Sequence, residues 1–138
     1  MAKSLFPSSM MTGASASQEM TLESVASKLT YFHEQLHLLH WQTSSYAEHQ
    51  ALGGLYDYVH DFKDGVIEKL MGYMGKRPGA YKIDPLISAT PISVVSELGD
   101  FAYKLYEWAG ENHYCDVENL AQELSGEAAK TKYLLTLS

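Results

Sequence analysis

Leu22, Val25, Leu29, Phe32, Leu36 and Leu39 stand three and four residues apart, the spacing that puts side chains on one face of an α-helix. Thr21 precedes them as an N-cap and Glu23 falls in the first turn. A first helix is therefore expected from there to about Trp41, where Thr43-Ser44-Ser45 interrupts it. A second stripe, Leu52, Leu55, Val59, Phe62, Val66 and Leu70, lies in a proline-free stretch from about Tyr46 to Met74. Gly53 and Gly54 weaken that helix, each by about 1 kcal/mol relative to alanine, and Gly75 ends it.

Residues 76–91 contain Pro78, Pro85 and Pro91 and predict a long connection, with a short helical turn around Leu86-Ile87. A connection of that length can cross the end of a bundle, which a hairpin loop has no need to do. Thr90-Pro91 suits the start of a third helix, proline being favoured at the first helical position. Its stripe is Val94 or Val95, Leu98, Phe101 or Ala102, Leu105 and Trp108, and Glu111-Asn112-His113 closes it. Asp116 is the expected cap of a fourth helix with the stripe Val117, Leu120, Leu124, Ala128, Thr131 and Leu135. Four amphipathic helices without a strand pattern make an all-α four-helix bundle over residues 21–138. Residues 1–20, rich in Ser, Ala and Met, show no periodicity and are expected as a flexible N-terminal tail.

The charge balance narrows the function classes. Ten Lys and Arg against seventeen Asp and Glu give a formal net charge of −7. Such a surface attracts cations and repels phosphate backbones, so DNA is an unfavoured partner. The single cysteine, Cys115, cannot form an intrachain disulfide and fits a reducing compartment. No apolar run approaches the ~20 residues of a membrane helix, and the N-terminus has no signal-peptide pattern. The expected location is cytoplasmic.

The histidines point to metal chemistry. Five of six lie between positions 33 and 60: His33, His37, His40, His49 and His60. Glu34, Glu48, Asp57, Asp61, Asp64 and Glu68 accompany them. Imidazole with carboxylate is the ligand set of non-haem iron, zinc and manganese, and a thiolate zinc site is excluded for want of a second cysteine. His33, His37 and His40 form one ridge, and Asp64 and Glu68 share a face one turn apart. The short turn between the first two helices brings His40 toward His49. On a continuous helix, however, His49 and Asp64 are separated by about 22 Å, at ~1.5 Å per residue. They cannot hold one ion within one chain. Either two separate sites exist, or half-sites from two subunits meet in a symmetric dimer.

Leu39-His40-Trp41, then His49, then Asp64 and Glu68 in this register resemble the Dps mini-ferritins of the ferritin-like superfamily. The string Asp116-Val117-Glu118-Asn119-Leu120 to Tyr133-Leu134-Leu135 resembles their last helix, and the likeness spans most of residues 22–137. The resemblance implies a ferritin-like bundle with a long crossover between the second and third helices. It also implies iron bound between two-fold-related subunits, with His40 and His49 from one chain and Asp64 and Glu68 from its neighbour. The implied activity is oxidation of Fe(II) by hydrogen peroxide or oxygen, with ferric storage in a hollow dodecamer; zinc is a further ion such a site takes in vitro. The family's aspartate one turn after the second histidine falls at Gly53, so Asp57 is the nearest replacement, directly or through water, and His60 is an auxiliary candidate. The turn between the first two helices is about three residues shorter than in that family, and its lysine-rich DNA-binding tail has no counterpart in residues 1–20. By the same likeness Trp41 lies beside the site and the start of the fourth helix near a pore, although packing for Trp41 and helix capping for Asp116 and Glu118 are the simpler readings. Asp61 is expected as a solvated charge, and most of the ten tyrosines as half-buried packing residues. A bundle that keeps fold and assembly but has lost oxidation chemistry is the alternative, and Gly53 is its motive.

Overall fold

The computed structural model describes residues 20–137, so all but Met20 of the expected tail lies outside the described residues. Met20 itself packs half-buried against the core. Four helices follow: α1 (Leu22–Gln42), α2 (Tyr46–Met74), α3 (Pro91–Glu111) and α4 (Cys115–Leu135). Their starts and stops have local causes. Thr21 and Ser24 form a reciprocal capping box at α1, with the Thr21 side chain accepting from the Ser24 N–H. Ser45 caps α2, and Thr90 caps α3 ahead of Pro91. Gly75 ends α2 in the left-handed region at φ 69°, where glycine carries no Cβ penalty.

Most of the buried side chains are those of the four stripes, joined by Ala26, Tyr31, Gln35, Ala51, Ala109 and Ala121. Val94 and Val95 are both inside, as are Phe101 and Ala102, so α3 has a broader apolar face than either choice alone implies. Trp108, Leu120 and Leu135 are half-buried at its margin. The substantial helix contacts are α1 with α2, α3 with α4, α2 with α4 and α1 with α3. These close a ring in which α2 and α3 are diagonal, so the chain between them must travel the length of the bundle.

Three contacts trace that path along α1. The Gly79 N–H donates to Glu23 Oε2 at 2.7 Å, Ser27 Oγ donates to the Lys82 carbonyl, and Gln35 meets Ile87. The anchors advance from residue 23 to residue 35 of α1, about 18 Å at ~1.5 Å per residue. The crossover thus runs beside α1 and delivers α3 antiparallel to it. The Gly79 hydrogen bond, aided by the Glu23 backbone N–H and Lys76, holds the Glu23 carboxyl below its ordinary pKa. A group with a lowered folded pKa stabilises above its unfolded pKa and loses that contribution as pH falls through the folded value. Acid below the usual carboxylate range should therefore release residues 76–82 first, measurable as faster amide exchange there than in α1.

The short helical turn around Leu86-Ile87 does not form. Residues 76–90 contain no helix. Pro85 keeps Asp84 out of the helical region, and both polar backbone groups of Ile87 are already engaged. Gln35, fully buried among the apolar residues of α1, donates from Nε2 to the Ile87 carbonyl at 3.0 Å and accepts from the Ile87 N–H at 2.9 Å. This amide clamp locks the crossover in an extended form. Gln35→Leu leaves two half-buried backbone groups without partners, and should cost about 1–3 kcal/mol in a denaturant titration.

Asp116 is not the cap of α4. Tyr114 holds that position without a side-chain hydrogen bond, and Asp116 sits inside the first turn. Its carboxylate accepts from Lys69 Nζ, and its N–H donates to the Tyr73 hydroxyl at 3.0 Å. The residue ties α4 to the end of α2 while still complementing the helix dipole.

Candidate metal centre

The turn between α1 and α2 sets the site. Leu39 accepts from the Thr43 N–H at 3.1 Å, which closes α1. Thr43 Oγ1 donates to Glu48 Oε1 at 2.6 Å and accepts from the Ser45 N–H at 3.1 Å. Three residues, tied on both sides, reverse the chain and leave His40 in the last turn of α1 facing His49 in the first turn of α2.

The two imidazoles stack with centroids 3.7 Å apart and planes 21° apart. Each ring also bonds to the other residue's backbone. His40 Nδ1 donates to the His49 carbonyl at 2.8 Å, and His49 Nδ1 donates to the His40 carbonyl at 2.9 Å. The His40 carbonyl is one of the four that the end of a helix leaves without a helical partner. A carbonyl only accepts, so both Nδ1 atoms carry the proton and both Nε2 atoms keep a lone pair. Metal-binding histidines are oriented in this way, by a bond from the second ring nitrogen.

Gly53 explains how the ring fits. A Cβ at that position would stand 3.1 Å from His40 Cε1 and 3.2 Å from His40 Nδ1. The glycine leaves space for the imidazole, and a side chain in its place would crowd the His40 ring. Asp57, one turn further along α2, is exposed.

The same outer face of the α1–α2 hairpin continues away from the turn. His37 lies between Trp41 and Tyr56, with centroids 3.9 and 4.3 Å away. His33 lies 5.2 Å from His60 and 5.5 Å from Tyr56. Lys63 Nζ donates to Thr30 Oγ1 at 3.0 Å. Beyond it a surface pocket of about 460 Å³ is lined by Asp61, Asp64 and Ile67 of α2 and by Pro78 and Tyr81 of the crossover. Asp64 is exposed at that pocket, and Glu68, one turn further along α2, is exposed as well. Lys69, next to Glu68, is turned to Asp116, whose hydrogen bond raises its pKa. Among the described residues neither Asp64 nor Glu68 has an ion-pair partner.

The structure therefore joins His40 to His49, and places Asp64 and Glu68 on one patch at the far end of the same face. It does not join the two pairs, and His60 faces His33. Among the described residues no three His, Cys, Asp or Glu side chains converge on one point. Trp41 is 66% exposed, stacked on His37 and not on the core, so its role is not interior packing. One feature escaped the sequence reading: Gln35 reads as an ordinary polar interruption of the α1 stripe. The spacing that puts His33 and His37 on one helix face was visible in the sequence.

No helix among the described residues is long and apolar enough to cross a membrane. No curated protein and no solved structure matches the chain. One family model matches residues 40–135, which takes in His40, His49, Asp64, Glu68 and the whole of α2 and α3. The chain belongs to that family, a family of unknown function designated DUF5856.

Proposed function

We propose that the protein takes Fe(II) as its substrate at sites completed only when two copies pair through their α1–α2 faces. The observation that carries this reading is the reciprocal bonding of His40 and His49, which presents two Nε2 lone pairs with no other function in the fold. The face has imidazoles at one end and unpaired carboxylates at the other. A two-fold axis through its middle sets the His40 and His49 of one copy against the Asp64 and Glu68 of the second. Asp57, exposed on α2, is the additional carboxylate candidate, directly or through water. In the oxidation, two Fe(II) ions each give one electron to hydrogen peroxide, which takes up two protons and leaves as two waters. Dioxygen is the other oxidant of this class. The ferric product is held inside a hollow homo-oligomer, a dodecamer in this reading, in the cytoplasm and without DNA as a partner.

The second reading is a bundle that keeps assembly and has lost oxidation, and Gly53 favours it by replacing a carboxylate with space for His40. Native mass and iron uptake separate the two. The first reading expects an assembly of about twelve chains that gains ferric absorbance when Fe(II) and peroxide are added. A dodecamer that neither binds nor oxidises iron establishes the second, and a monomer defeats both.

A further inference from the structure

We propose a second metal site on this hairpin, contained within a single chain and formed by His33, His37 and His60, for a divalent ion of imidazole preference such as zinc or copper. It needs no second copy of the chain and so stands apart from the iron reading. His33 and His37 are one turn apart on the outer face of α1, while Gln35 and Leu36 between them are buried. His60 comes from α2. Ring centroids are 5.9 Å apart for His33 and His37, and 5.2 Å apart for His33 and His60. Two imidazoles on one tetrahedral ion, with metal–nitrogen bonds of about 2.0–2.1 Å, have centroids about 5 Å apart. The two separations lie near that value, but the three rings do not converge on one point as they stand, and His37 must turn for the group to share an ion.

A carboxylate orients the first ligand. Glu34 Oε2 lies 3.2 Å from His33 Nδ1, so that nitrogen is the donor and Nε2 is left for a metal. Tyr56 stacks on His37 and stands edge-on to His40 with centroids 5.2 Å apart, and the His37 and His40 rings are themselves 6.0 Å apart, so the two groups adjoin at His37. The neighbouring cation, Lys63, is held away by Thr30. His37 rests on Trp41, and its rotation off that indole brings the third nitrogen in. Metal binding is therefore coupled to loss of the His37–Trp41 stack, which gives the site its own optical signal.

The test uses the full chain freed of metal by a chelator and titrated with zinc chloride alone, followed by calorimetry and tryptophan fluorescence. One equivalent per chain is expected beyond any zinc taken at His40 and His49, accompanied by a change in Trp41 emission. Both should disappear in His33→Gln/His60→Gln and persist in His40→Ala. Glu34→Gln should keep the stoichiometry and weaken affinity about 10–100-fold, as loss of an orienting partner does. With copper(II), the electron paramagnetic resonance spectrum should show coupling to three nitrogens that is lost in the exposed-residue variant His60→Gln, whose fold is checked by its melting curve. Unchanged stoichiometry and emission in His33→Gln/His60→Gln would overturn the proposal, as would loss of the equivalent in His40→Ala.

Discussion

The His40→Ala/Glu68→Ala variant should lose the fast phase of Fe(II) oxidation, by more than the about 10–100-fold that removing an outer partner costs at a metal site. The loss is separable from unfolding. Removing the His40 ring leaves its carbonyl in place, so His49 keeps its own hydrogen bond, and the stability cost is about 1 kcal/mol for the single bond lost. Glu68 is exposed, and its truncation lies within about 0.5 kcal/mol of neutral. A stronger form of the experiment mixes the two single variants. In a shared site, a dimer of one His40→Ala chain with one Glu68→Ala chain has one site missing both ligands and one site intact. Random reassortment then restores about one quarter of the wild-type sites, although each variant alone has none. Stopped-flow absorbance of ferric formation before and after co-refolding reads this directly. Activity in the mixture equal to the mean of the inactive parents means that the ligands are not shared across a two-fold axis.

How far the sequence foretells this geometry depends on whether the cause is local. Periodicity places the four helices because burial of a stripe is a property of the helix itself. Thr21, Gly75 and Thr90-Pro91 mark boundaries because each acts on the backbone within one turn. The crossover is different. Leu86-Ile87 could form a helical turn by local preference, and Gln35, 52 residues away, decides otherwise. Asp116 has an N-cap's chemistry, and Lys69, 47 residues away, takes it. The site shows the same division. The distance between His49 and Asp64 follows from helical rise, so the choice between two separate sites and half-sites from two subunits was readable before any fold. The reciprocal bonding of His40 and His49 was not, because it depends on a three-residue turn whose side-chain bonds set the angle between α1 and α2. Nor was the role of Gly53, which reads as a lost ligand until the His40 ring is seen against it.

Gly53→Ala and Gly54→Ala should therefore diverge, although the residues are adjacent in one helix. Gly54 has nothing within 4 Å of where a Cβ would stand, so alanine there should add about 1 kcal/mol of stability and leave iron binding unchanged. At Gly53 the same propensity gain is offset. The new methyl meets the His40 ring at 3.1–3.2 Å, and that ring is held by its stack on His49 and its bond to the His49 carbonyl. For the ring to yield it must give up that hydrogen bond, at a cost of about 1 kcal/mol. Stability should come out near zero change, while the Nε2 lone pair turns out of register and Fe(II) binding falls. Gly53→Asp carries the argument further. If the missing carboxylate limits oxidation, the aspartate should speed it; if the position is space for His40, the aspartate should slow it as alanine does. We expect the slower outcome, because a ligand displaced from its orienting bond is lost before a new one is gained. Anaerobic Fe(II) titration and oxidation rate, compared across Gly53→Ala, Gly53→Asp and Gly54→Ala, decide between them. A faster Gly53→Asp enzyme would mean that the ring moves aside at little cost and that the glycine is a vacancy in the ligand set.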